Sequence, residues 1–141
     1  MANILYNDYK MYKYFTWLTL CVVSPMSLPI TPDKWKDELM TPSQPTIVLF
    51  HTKWCHYCRE FLPLWQEVVN TYTNDDRIRF VTMHCDEKSV RKICDAFNIT
   101  GFPTIDTLYP DKKPERYLKQ RTRAEFSKYV DNVVVQRGPR T

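Results

Sequence analysis

The chain has 141 residues, room for one domain and a tail at the usual ~100–200 residues per domain. Apolar residues make up 43% and aromatic residues 14%, enough to bury a core and to exclude a disordered chain; two glycines beside ten prolines exclude collagen or a glycine-rich linker. A net charge of +4 is too mild to indicate a nucleic-acid partner, and a mean hydropathy of −0.48 excludes a polytopic membrane protein.

In chain order, residues 1–27 read as a secretory signal peptide. Lys10 and Lys13 precede a ten-residue apolar run over 14–23, closed by Ser24-Pro25. That length fits the ~7–15 residues of a signal's apolar part and falls short of the ~20 a bilayer span needs. An uncleaved anchor or a buried strand is the competing reading. Cleavage would remove Cys21 and leave four cysteines of the five. The folded domain is expected over 28–136, followed by a short basic tail at 137–141.

Thr31-Pro32-Asp33 predicts a cap for a short helix over 34–39, with Trp35, Leu39 and Met40 facing inward. The continuous apolar run 46–50 fits a strand covered on both faces. Over 58–72, Phe61, Leu62, Leu64, Trp65, Val68, Val69 and Tyr72 recur at helical spacing, with Pro63 near the start positioned to bend the helix. A second strand is predicted over 77–83, a short helix over 88–97 and a third strand over 103–109. The stretch 110–114 is a turn by composition and 115–118 an edge strand. Thr122 can cap a last helix carrying Phe126, Tyr129, Val130 and Val133 on one face. The order β-α-β-α-β-β-α describes an α/β sandwich with a mixed central sheet flanked by helices.

The chemistry concentrates in Trp54-Cys55-His56-Tyr57-Cys58, where the first strong strand ends and the long helix begins. Unpaired N–H groups and the helix dipole at that N-terminus favour a thiolate at Cys55. Two intervening residues bring Cys58, one turn in, within reach of Cys55. Such a small disulfide exchanges with outside thiols through a mixed disulfide, and Trp54 would shield one side. Zinc sites use the same spacing but need a second ligand pair. Eight residues separate Cys85 from Cys94, and no His-x-x-Cys or second C-x-x-C follows, so no metal is expected. A purely structural Cys55–Cys58 bridge is the remaining alternative.

Residues 46–135 resemble the thioredoxin-like domains of the protein disulfide isomerase family, and the likeness extends beyond C-x-x-C. Pro63 falls five residues after Cys58, where the family has its helix-kinking proline, and Gly101-Phe102-Pro103-Thr104 is similar to the family's cis-proline loop. The resemblance implies a thioredoxin-like three-layer sandwich and thiol-disulfide exchange by Cys55 and Cys58. It also implies a substrate surface of Trp54, His56, Tyr57, Phe102 and Pro103, with a cis bond before Pro103, the residue type at which that isomer costs little.

Cys85 and Cys94, with Asp95-Ala96-Phe97-Asn98-Ile99 running into Gly101-Phe102-Pro103-Thr104, are similar to the first thioredoxin domain of quiescin-type sulfhydryl oxidases. That likeness implies a structural Cys85–Cys94 disulfide outside the catalytic centre; a free buried pair is the alternative. Those oxidases carry a second, helical flavin domain. No cysteine follows Thr104 and no glycine-rich dinucleotide fingerprint occurs. No cofactor is therefore expected, FAD entering only with a separate oxidase domain or partner. The chain is expected to be a stand-alone exchange domain or a truncated form of a longer oxidase.

Three departures bear on the chemistry. The family's usual Gly-His between the cysteines is His56-Tyr57 here. Its buried carboxylate six residues before the first cysteine is Leu49, and Leu118-Lys119-Gln120 lacks a frequent glycine. The expected partners are proteins with cysteine thiols or disulfides, and a flavin sulfhydryl oxidase domain where one is present. Neither nucleic acid nor a stable membrane span is expected. The expected location is the secretory pathway, in the endoplasmic reticulum or Golgi lumen or secreted. A non-catalytic substrate-binding or chaperone module is the reading from another class, and Leu49 speaks for it.

Other residues have blander readings. Asn98-Ile99-Thr100 is an N-glycosylation sequon just before the cis-proline loop, where a glycan would crowd the site. His51 and His84, at strand ends, read as solvated or core-satisfied. Nine basic and four acidic residues from Asp111 onward read as a solvated face ahead of an acidic or lipid partner. Arg121 and Arg123 lie where disulfide isomerases place an arginine; neither is assigned a role.

Overall fold

The computed structural model describes residues 34–136. The signal peptide read over 1–27, the cap at Thr31 and the basic tail at 137–141 lie outside the described residues.

Strand β1 (Thr46–His51) is buried along its whole length. Successive side chains of a strand point to opposite faces, and here each face has its own apolar layer. Ile47 and Leu49 pack with Phe61, Trp65, Phe126 and Val130, whereas Val48 and Phe50 pack with Leu39, Val81, Met83 and Ile93. Covering on both sides is why the run is continuous rather than alternating. Helices α1 (His56–Thr71) and α3 (Arg123–Val135) form the first cover, and α2 (Lys88–Ala96) with a π-helical turn at Lys36–Met40 forms the second.

β1 pairs in parallel with β2 (Arg79–His84) and antiparallel with β3 (Thr104–Leu108). Beyond β3 lies β4 (Glu115–Arg116), giving the order β2-β1-β3-β4. This is the α/β sandwich with a mixed sheet that the element order predicts, in the three layers that the family resemblance implies. The register sets the working end of the molecule. His51 lies opposite His84 where both parallel strands finish, and Thr104, where β3 starts, lies opposite Phe50. The loops carrying Cys55 and Pro103 therefore leave the sheet at one end.

Several elements depart from expectation for local reasons. β2 starts at Arg79, not 77, because Asp75 accepts the Arg77 backbone N–H at 3.0 Å and holds its guanidinium at 2.9 and 2.6 Å. β4 keeps two of the four expected residues: the Tyr117 hydroxyl turns back to the Gln120 carbonyl at 2.6 Å, and Leu118 is thrown out to solvent. In the first helical turn Leu39 is buried and Trp35 half-buried as expected, but Met40 is exposed. A single turn presents only one inward position at its end.

α1 begins at His56, two residues earlier than the apolar spacing predicts, because Cys55 caps it, and it continues across Pro63. Thr122 caps α3 as predicted, its Oγ1 accepting the Glu125 N–H at 3.3 Å. At the end of α2, Asn98 N–H donates to Asp95 O and Ile99 N–H to Cys94 O, at 3.0 and 3.1 Å. This is the paired bonding of a Schellman motif, and it requires a left-handed residue. Asn98 supplies it at φ 51°, a conformation asparagine tolerates better than most residues.

Candidate active site

The α1 N-terminus is closed by sulfur. Cys55 adopts an extended conformation at the N-cap, and its Sγ accepts the Cys58 backbone N–H at 3.2 Å. The Cys55 N–H in turn donates to Thr52 O at 3.4 Å, fixing the loop out of β1. Cys55 and Cys58 are joined as a disulfide with Cα atoms 5.2 Å apart. Cys58 is 1% exposed and Cys55 6%, so Cys55 is the sulfur an incoming group meets first. After reduction, the same N–H and the helix dipole stabilise a thiolate at Cys55.

Around this pair the site is aromatic and open. Trp54 is 71% exposed and Tyr57 66%, and the Trp54 ring meets half-buried Phe102 edge-on at 5.9 Å. The Phe102–Pro103 peptide bond is cis, and Pro103 is buried. His56 points along the outside of α1, pairing with Glu60 at 3.1 Å. Its imidazole therefore belongs to the helix surface. Trp54, Phe102 and Pro103 thus gather beside the cysteines, while His56 and Tyr57 form the outer rim.

Two contacts at this end involve residues that the sequence reading names without assigning them a role. Arg121, in the approach to α3, donates from Nη2 to the Pro103 carbonyl at 3.0 Å. It tethers the cis-proline loop across 18 residues of chain, a contact only the fold creates. The second is a histidine pair. His51 is 3% exposed and its ring centroid lies 4.2 Å from that of His84. Among the described residues, neither His51 nitrogen nor His84 Nδ1 makes a hydrogen bond of good geometry, the Thr52 backbone beside His51 giving only a weak one. Burial foremost, then His84, lowers the His51 pKa to about 4, against an opposing pull from Asp86. His51 is thus a neutral buried imidazole rather than a solvated one. It falls two residues after Leu49 and so on the same face of β1; Leu49 itself is wholly buried.

Cys85 and Cys94 are joined by a second disulfide, with Cα atoms 5.9 Å apart and a dihedral angle of −85°. It links the end of β2 to α2 inside the second apolar layer. Among the described residues, no cluster of three or more His, Cys, Asp or Glu side chains is arranged to hold a metal ion. None of the described helices is long and apolar enough to cross a membrane.

Residues 26–132 match the thioredoxin family. The chain belongs to that family. As a thioredoxin-family chain it is similar to protein disulfide-isomerase 1 of Dictyostelium discoideum, 26% identical over 103 residues, which are 72% of this chain and 28% of that protein. It is 30% identical over 95 residues to the mitochondrial thioredoxin domain-containing protein C13F5.05 of Schizosaccharomyces pombe, covering 64% of this chain and 26% of the other. Among solved structures, the first thioredoxin domain of mouse protein disulfide-isomerase A4 superposes with a TM-score of 0.63 at 20% identity, over 80% of this chain and 79% of that domain. The chain thus spans about a quarter of the length of these two curated relatives. It is a thioredoxin-family domain with Cys55 and Cys58 at C-x-x-C spacing, and it is similar to domains of protein disulfide-isomerases.

Proposed function

We propose that this chain is a thiol-disulfide oxidoreductase acting on protein thiols and disulfides. The observation that carries the reading is Cys55 as sulfur cap of α1, bonded to a more deeply buried Cys58. In the oxidising direction, a substrate thiolate attacks Cys55 Sγ, and the Cys55–Cys58 bond breaks with its electron pair leaving on Cys58. A second substrate thiolate then attacks the substrate sulfur of the mixed disulfide and expels Cys55 as a thiolate. Two electrons pass from substrate to the pair, and the protons lost by the substrate thiols balance those taken up by the reduced cysteines. Reduction runs the same steps backwards.

Trp54, Phe102, Pro103, His56 and Tyr57 form the surface on which the substrate chain lies, with Arg121 holding the Pro103 carbonyl in place. The protein disulfide isomerase relatives support a location in the secretory pathway. The Cys85–Cys94 bridge, together with the Phe97-Asn98-Ile99 and Gly101-Phe102-Pro103-Thr104 stretches, supports a kinship with quiescin-type oxidases. In that case a flavin-bearing oxidase domain would accept the electrons.

Trapping tests the exchange itself. With Cys58→Ala the resolving sulfur is gone, so mixed disulfides to substrate proteins accumulate through Cys55 and disappear on adding a thiol reductant. Absence of any such adduct in an oxidising lumen overturns the proposal. Leu49 favours a second reading, a binding module without turnover, since no carboxylate stands there to take up the Cys58 proton. That module would suppress aggregation of unfolded protein equally well with both cysteines changed to alanine.

A further inference from the structure

We infer that Asn98 is an acceptor site for one N-linked glycan, carried on a flank of the fold away from the cysteine pair. The inference rests on the secretory reading above for the compartment in which it would occur. Asn98-Ile99-Thr100 is the single sequon of the 141 residues.

The fold accounts for half of this motif and leaves the other half unexplained. The Schellman motif that ends α2 needs a left-handed residue, so the asparagine has a backbone reason to be there. Ile99 also has one, packing against the second apolar layer. Thr100 has neither: it is exposed, and its hydroxyl has no hydrogen-bond partner among the described residues. A threonine two residues after an exposed asparagine is what glycosylation requires and what helix termination does not.

Position removes the objection that a glycan here would crowd the active site. Asn98 borders a cleft of about 580 Å³ shared with Met40, Pro42, Asp106, Leu108 and Arg116. Leu108 pairs with Thr46, the first residue of β1, whereas Cys55 follows the last. The carbonyl of the preceding Phe97 accepts Arg116 Nη2 at 3.2 Å, and Arg116 pairs with Asp106, itself opposite Val48 in the middle of β1. Asn98 therefore stands beside the middle of the sheet and not at the end from which Cys55 leaves, although it is only five positions before Pro103.

The chemistry is transfer from a lipid-pyrophosphate-linked oligosaccharide. The Asn98 amide nitrogen forms a bond to the anomeric carbon of the first sugar, the lipid pyrophosphate leaves with the electron pair of the broken bond, and the amide proton passes to solvent. The side chain needs access and nothing else from the fold.

The test uses the full chain with a strong secretory signal added at its N-terminus, translated in the presence of microsomes; the protease-protected fraction is analysed. It should gain one mass step that peptide N-glycosidase removes. Thr100→Ala, which leaves the helix-ending asparagine intact, should abolish the step, and Thr100→Ser should keep it. Thiol exchange by the glycosylated chain should be unchanged by deglycosylation. A protected chain without the step, or one whose step survives Thr100→Ala, overturns the inference; so does a rise in exchange on removing the glycan, for the placement. The same chain without the added signal is run in parallel. If it stays protease-sensitive the secretory reading fails, while the acceptor property is still decided by the first arm.

Discussion

The two disulfides have similar accessibility and opposite surroundings. Cys55 and Cys58 are 6% and 1% exposed, Cys85 and Cys94 6% and 4%, so burial does not tell them apart. Polar contacts and helix position do. Cys55 sits at the N-terminus of α1 and its sulfur receives a backbone N–H, the positive end of a helix dipole. Cys94 lies in the last turn of α2, three residues before Phe97, at the negative end. A thiolate is favoured at the first and disfavoured at the second, and a sulfur that leaves poorly makes a bond slow to exchange. Its remaining neighbours, Leu39, Met83, Val90 and Ile93, are apolar. One pair is thus placed for exchange and the other for holding β2 to α2.

Substitution should split the pairs cleanly. Cys55→Ala removes the attacked sulfur and should abolish exchange in an insulin-reduction assay, whereas Cys85→Ala with Cys94→Ala should leave the exchange activity standing. Loss of activity in the second variant, at a temperature where its circular dichroism shows it folded, would end the distinction.

Acid sharpens the comparison at the working end. The His51 pKa is lowered from 6.5 to about 4, so between those values the unfolded chain binds a proton that the folded one resists. The contribution is whole above pH 6.5, shrinks as pH falls, and is exhausted below about 4, a total of about 3 kcal/mol. Urea unfolding over this range should show the loss, and His51→Leu should flatten it.

For the structural pair, the paired alanine variant should lose about 2–3 kcal/mol of unfolding free energy, the expectation for a loop as short as nine residues of separation. A smaller effect is expected at the tether. Arg121→Gln removes one hydrogen bond to the cis-proline carbonyl, and at about 1–1.5 kcal/mol this lowers kcat/KM for a peptide disulfide about five- to tenfold. The decrease should appear without a change in the unfolding midpoint comparable to that of the Cys85/Cys94 variant.

What the sequence discloses here is governed by range. The run 46–50, the spacing from Phe61 to Val69 and the Thr122 cap are local patterns, and each predicts its element. C-x-x-C at a strand–helix junction places Cys55 at the helix N-terminus by the same logic, while the start at His56 is set by the sulfur cap, which the apolar spacing does not disclose. Boundaries fail where a single side chain intervenes, as Asp75 does before β2 and Tyr117 does after β4. The His51–His84 contact and the Arg121 tether depend on strand register and on the return of the chain from β4. No window along the sequence brings those residues together.

The brevity of β4 has a consequence of its own. The outer rim of the sheet consists of Glu115 and Arg116, two exposed residues of opposite charge. So short and charged a border gives a stray extended peptide little to zip onto. Concentrated solutions of this domain should accordingly resist fibrillar self-association through that side, which suits a protein proposed to work among unfolded chains.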